Sequence, residues 1–202
     1  ADKMMKAFSG SGVVPDALVK SPTFVLAVAV GASLTILLAT RLGFPISTTH
    51  ALIGALLGAG LAGSGSDVHY IGLWEKFAKP LLWVPLVAIL CGAIVYQLLK
   101  AIRLAPDQRS RTLDALHFLS TGAASFARGW NDTPKTAALL LVLPGFDKWW
   151  ACVIVGVLII IGGLTNAHRV AETLAKKITS MTPGQGFVAS LVTATLVITG
   201  SV

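Results

Sequence analysis

The chain has 202 residues, 54% of them hydrophobic and 12% charged, with a formal net charge of +7 and a mean hydropathy of +0.78. Soluble domains carry about 25% charged residues, and one soluble core of this size cannot hide so much apolar surface, so a soluble globular fold is excluded. The positive balance reads as Lys and Arg flanking membrane spans, and no basic patch with interleaved aromatics points to nucleic acid.

In chain order, the elements read as the helices of an integral membrane protein. Residues 22–40 hold no charge and fill one bilayer thickness, and Arg41 marks an interface. Residues 44–63 form a second span, in which Gly54, Gly58 and Ala62 recur every four positions, a spacing that lets helices pack closely in lipid. Residues 64–79 read as a loop with an interfacial helix carrying Trp74. Residues 80–99 span again, with Pro80 in the first turn and Pro85 as a slight kink. Residues 100–111 hold Lys100, Arg103, Arg109 and Arg111, the densest positive loop, which predicts a cytoplasmic position. Residues 112–144 are too long for one span and too short for two, and their polar middle predicts a broken or re-entrant helix. Residues 150–165 span, residues 166–184 read as a polar loop with Arg169, Lys176 and Lys177, and residues 186–202 begin a last span. Cys91 and Cys152 lie in apolar runs without CxxC spacing and read as buried free thiols.

A faint internal repeat links "SPTFVLAVAVGASLTILLAT", from Ser21, to "TPGQGFVASLVTATLVITGS", from Thr182. An odd number of spans between the two copies predicts opposite orientations, the inverted-repeat plan of many transporters. The final apolar run reaches Val202 with no basic or aromatic flank, so the sequence reads as a piece of a longer protein, with a second "GFPISTTH" expected after Val202.

Two polar islands interrupt the apolar pattern. In "GFPISTTH", residues 43–50, Ser47, Thr48, Thr49 and His50 follow Pro45, which favours the first turn of a helix. Irregular backbone at membrane depth survives only inside protein or beside a water-filled cavity. Hydroxyls, first-turn N–H groups and the helix dipole together make an anion site without a formal charge. The bland alternative is an ordinary N-cap, which needs one hydroxyl where three stand here. His50 reads as a structural hydrogen-bond partner rather than a proton carrier. The second island is "FARGWNDTPKTAALLLV", residues 126–142, in which Gly129 permits a break. Asn131 and Asp132 offer the oxygens a hard cation such as sodium takes, their backbone N–H groups suit an oxyanion, and Arg128 and Lys135 can neutralise one. Ionisable groups inside a span face a bundle interior or an aqueous path, and a plain extramembrane loop is the alternative.

"PISTTH" and "GWNDTPKTAA" resemble the paired signatures of the inorganic phosphate transporter (PiT) family, ion-coupled phosphate symporters with two inverted repeats. The resemblance implies that residues 1–105 are the remainder of a first repeat and residues 106–202 the first part of a second, inverted one. It implies that Ser47, Thr48 and Thr49 hold phosphate and that Asn131 and Asp132 contribute to phosphate and sodium coordination. The family's commoner continuation, "ND-V-A-N-A", is replaced here by Thr133, Pro134, Lys135 and Thr136. Lys135 then reads either as a surrogate for the coupling cation beside Asp132, shifting coupling from sodium toward protons or lowering the sodium carried by one, or as an anchor snorkelling to the interface.

The expectation is an all-α, polytopic integral membrane protein of the cell membrane, multi-pass, with inverted repeats and broken or re-entrant helices. Its function is cation-coupled symport of inorganic phosphate, with sodium or proton as coupling ion, no cofactor, the lipid bilayer as surroundings and room for a homo-oligomer. A sulfate or other oxyanion permease of the same fold is the alternative, with an anion channel behind it. A chain holding one copy of each motif is not expected to transport by itself. No G-x-x-x-x-G-K-[ST] couples the chain to ATP, and no GxSxG or HExxH supports an enzyme.

Overall fold

The computed structural model describes residues 2–105 and 107–200, without the side chains of Lys3, Asn166, Ala167, Ala175 and Lys176. Ala1, Pro106 and Val202, which bound the two expected repeat halves, and the expected loop cation Lys176 lie outside what is described. Among the described residues the protein is all-α, with four helical segments long and apolar enough to cross a membrane. The chain divides into two compact units, the first running up to Ala78 with Asp132–Ile178, the second Lys79–Asn131 with the stretch from Thr179 onward.

In the first unit, α1 (Asp2–Phe8) and α2 (Asp16–Val19) lead into α3 (Pro22–Leu42). Pro22 suits the first turn of α3, where a missing N–H costs nothing. Gly43, at φ +75°, ends it: the Phe44 N–H reaches the Ala39 carbonyl at 2.9 Å and the Gly43 N–H reaches Thr40 at 3.1 Å, a Schellman stop that only glycine adopts without strain. After Phe44, Pro45 and Ile46, Ser47 caps α4 (Thr48–Ser64). Pro45 thus lies ahead of the helix rather than in its first turn. Helices α3 and α4 pack together over a core that includes Phe8, Val14, Val28 and Leu56.

The close approach is not made at the expected small residues. Gly54 and Gly58 face open space, while a Cβ at Gly31 would stand 3.4 Å from that of Ala55 and one at Gly60 would strike Val14. The face that α4 buries is Ala51, Leu52, Leu56 and Gly60, along one side of the helix, and Gly54, Gly58 and Ala62 lie off that face. Seventeen residues make α4 about 25 Å long, short of the ~30 Å hydrocarbon core.

The helix expected around Trp74 is present, and two stretches expected to be broken or looped are helical. After a short turn, α5 (Tyr70–Leu73) passes through a π-helical turn (Trp74–Ala78) into α6 (Lys79–Ala101). The π turn falls just before Pro80, which has no N–H for the regular pattern. The expected break at Gly129 is absent: α7 (Arg111–Leu140) is one 30-residue helix through Gly129 and Pro134. A proline inside a helix forfeits one hydrogen bond but need not end it, and Asp132 and Lys135, two of the polar residues expected at a break, pair with each other along the helix. Likewise α8 (Lys148–Glu172) and a π-helical turn (Thr173–Ile178) fill most of residues 166–184.

The second unit contains α6, the part of α7 up to Asn131, and α9 (Pro183–Gly200), over a core of Leu113, Phe187, Val188 and Val192. Gly186 lets α9 approach His117 of α7, where a Cβ would lie 2.8 Å from the imidazole, and the hydroxyls of Thr121 and Ser190 meet at 3.4 Å. The expected positive loop is partly neutralised. Asp107 accepts from Lys100 and Tyr96 at 2.6 Å each and from Thr182 at 3.4 Å, and the Arg109 Nε donates to Asp114 at 2.9 Å. The Lys100 and Tyr96 donors hold the Asp107 carboxyl below the ordinary 3.8. Cys91 and Cys152 are free and half-buried.

α6 buries no residue at all, leaving Leu82, Trp83, Ile89 and Leu90 bare. In water such a helix would forgo about 25 cal/mol per Å² of apolar surface; in a bilayer the same surface is already in its solvent.

Candidate functional site

The two polar islands meet in the first unit. The Lys135 ammonium donates to Thr49 Oγ1 at 3.0 Å, across 86 residues of sequence, and to Asp132 Oδ1 at 3.0 Å on its own helix. Lys135 is 6% exposed, while Asp132 and Thr49 are half-buried. Residues three apart lie on one face of α7, so the break-free helix is what sets Asp132 beside Lys135. The partner on α7 is Asp132, three positions back, the carboxylate beside which the cation-surrogate reading puts Lys135. The Phe8 ring of α1 stands with its centroid 5.7 Å from the same ammonium, within cation–π range. Phe8 could not be found from sequence, because nothing in the pattern of α1 refers to a site more than a hundred residues away.

The three hydroxyls separate in role. Ser47 is the N-cap, its oxygen accepting the His50 backbone N–H at 3.3 Å. Thr48 and Thr49 occupy the first two helical positions, where N–H groups have no acceptor within the helix. Thr49 accepts from Lys135, which leaves its own O–H to donate. The His50 ring is exposed, as is Arg128, while Asn131 is half-buried and counts with the second unit. The Thr136 hydroxyl donates to the Asp132 carbonyl at 3.3 Å. Among the described residues no group of three or more His, Cys, Asp or Glu could hold a metal ion.

The arrangement offers an ammonium, hydroxyl donors and a helix N-terminus around one carboxylate. These are the elements for holding an oxyanion: donors and partial positive charge, with a fixed cation inside.

The model of the phosphate transporter family, PHO4, matches residues 3–202. A probable low-affinity inorganic phosphate transporter of Rhizobium meliloti is 31% identical over 89% of this chain and 57% of its own length. The sulfate permease CysP of Bacillus subtilis is 27% identical over 95% of this chain and 54% of its own. A sodium-dependent phosphate transporter of Plasmodium falciparum is 41% identical over a shorter stretch, 36% of this chain and 11% of its own length. The chain spans about half the length of the first two relatives. No solved structure matches.

Proposed function

We propose, because the chain belongs to the phosphate transporter family (PHO4), a family of transporters and not of enzymes, that it serves cation-coupled symport of inorganic phosphate across the cell membrane as a multi-pass protein. The observation that carries this reading is the contact between Thr49 of the first island and Lys135 and Asp132 of the second. Ser47, Thr48 and Thr49 bind the anion through hydroxyls and first-turn N–H groups. Asn131 contributes its amide oxygen toward the coupling ion, sodium or proton, and Asp132, whose carboxylate holds Lys135, accepts from phosphate. Access alternates around a midplane site between inverted repeats.

A sulfate permease is the second reading, favoured by the likeness to CysP over nearly the whole chain. Asp132 tilts the choice toward phosphate. A carboxylate is acceptor-only; phosphate at neutral pH carries an O–H to donate to it, and sulfate carries none.

Thr48→Val and Thr49→Val, made in the protein expressed from its complete gene, are expected to weaken phosphate uptake while leaving the fold intact. Each lost hydrogen bond to a charged ligand is worth about 1.5–3 kcal/mol. Wild-type affinity and rate in both variants would sink the assignment, and competition by sulfate decides between the two anions.

A further inference from the structure

Resting on the oxyanion-transport reading of this site, we propose that Lys135 is the resident counter-cation of Asp132 and occupies the place at that carboxylate which a coupling sodium would fill. The ammonium is not a surface charge that happens to pass by. It is buried, it holds Asp132 Oδ1 and Thr49 Oγ1 at 3.0 Å each, and the Phe8 ring covers it at 5.7 Å. A buried ammonium with two acceptors and an aromatic face is a fixed charge rather than a swinging ligand.

One carboxylate supports one cation in a low-dielectric site, where a second beside it is repelled. Among the described residues no group of three or more His, Cys, Asp or Glu is placed to hold a further cation. The ammonium also orients Thr49: by donating to its oxygen it turns the hydroxyl proton outward, toward an arriving anion. Lys135 is thus a positioning residue for the anion and a substitute for the cation, and this half of the site takes up one sodium fewer than a site with a free carboxylate.

The test is sodium-dependent thermal stability of the purified protein in detergent, expressed from its complete gene. Sodium chloride is titrated against choline chloride at constant ionic strength. Asp132→Asn is expected to leave the wild-type sodium response unchanged, since sodium does not use that carboxylate while Lys135 holds it. Lys135→Asn frees the carboxylate and is expected to lower the half-saturating sodium concentration about tenfold, the worth of one charge-assisted contact. Adding Asp132→Asn to Lys135→Asn is expected to erase that gain. A sodium response lost in Asp132→Asn alone, or a Lys135→Asn titration that overlays wild type, overturns the proposal. Should Lys135→Asn fail to fold, Asp132→Asn decides by itself, because its amide oxygen still accepts from Lys135. Phosphate and sulfate are titrated into the same samples. Stabilisation by neither would defeat the oxyanion reading and leave the sodium comparison standing.

Discussion

Ser47, Thr48 and Thr49 are adjacent hydroxyls with different work. The sequence marked all three as site residues, because a single cap could not explain them. It could not tell which one meets the second island, since that depends on the face α4 turns toward α7. Lys135 was legible as a departure in the motif, with an anchor at the interface as one reading. Its 6% exposure is at odds with an anchor and in keeping with a buried partner for Asp132. Removing one member of such a pair leaves an uncompensated charge. Asp132→Ala is therefore expected to destabilise the protein by about 3 kcal/mol, the lower end for a buried pair because Asp132 keeps some exposure. Asp132→Asn is expected to cost clearly less, because its oxygen still accepts. Denaturation in detergent measures both, and equal losses would contradict the pairing.

Two helix ends show how much the backbone adds to what residue type reveals. α3 stops on Gly43 at φ +75°, and α6 is followed by the same bonding pattern at Arg103, φ 60°, where Leu104 N–H reaches the Leu99 carbonyl at 2.8 Å and Arg103 reaches Lys100 at 3.0 Å. A side chain in this region costs about 1–2 kcal/mol that glycine does not. Gly43→Ala is expected to lower stability by about that amount and to disturb the approach to Ser47. Arg103→Gly is expected to raise stability by up to about 1 kcal/mol. Thermal unfolding with opposite signs for the two supports the account, and equal signs contradict it. The neighbouring Asp107 carboxyl, held below the ordinary 3.8 by Lys100 and Tyr96, adds stability above that value. The gain is lost as pH falls through the lowered value. The Tm difference between wild type and Asp107→Asn is thus expected at neutral pH and gone once the wild-type carboxyl is protonated; a gap unchanged down to pH ~2 would contradict it. At this scale the sequence misled most where polarity was taken for a break or a loop. Gly129 and Pro134 stay inside α7, and residues 166–178 stay helical, because a helix tolerates polar side chains that find partners or reach solvent.

For the molecule as a whole, composition already fixed the solvent. Large apolar side chains such as Leu34 and Leu38 on α3, Leu86 and Ile94 on α6, and Leu158 and Ile160 on α8 are bare. A bilayer is the surrounding in which that surface costs nothing. The spans at residues 22–40, 80–99 and 150–165 were readable because hydropathy alone places them, and α3, α6 and α8 contain them. The meeting of Thr49 with Lys135 was not readable, since tertiary contacts between distant helices leave no local periodicity. That meeting is the central claim, and binding of radiolabelled phosphate to the purified protein tests it most directly. Wild type is expected to bind saturably, and Thr49→Val to bind about tenfold or more weakly while staying folded, its Tm lowered because the buried Lys135 ammonium loses one acceptor. Saturable phosphate binding of equal affinity in Thr49→Val and wild type, or no saturable binding in wild type, would contradict it.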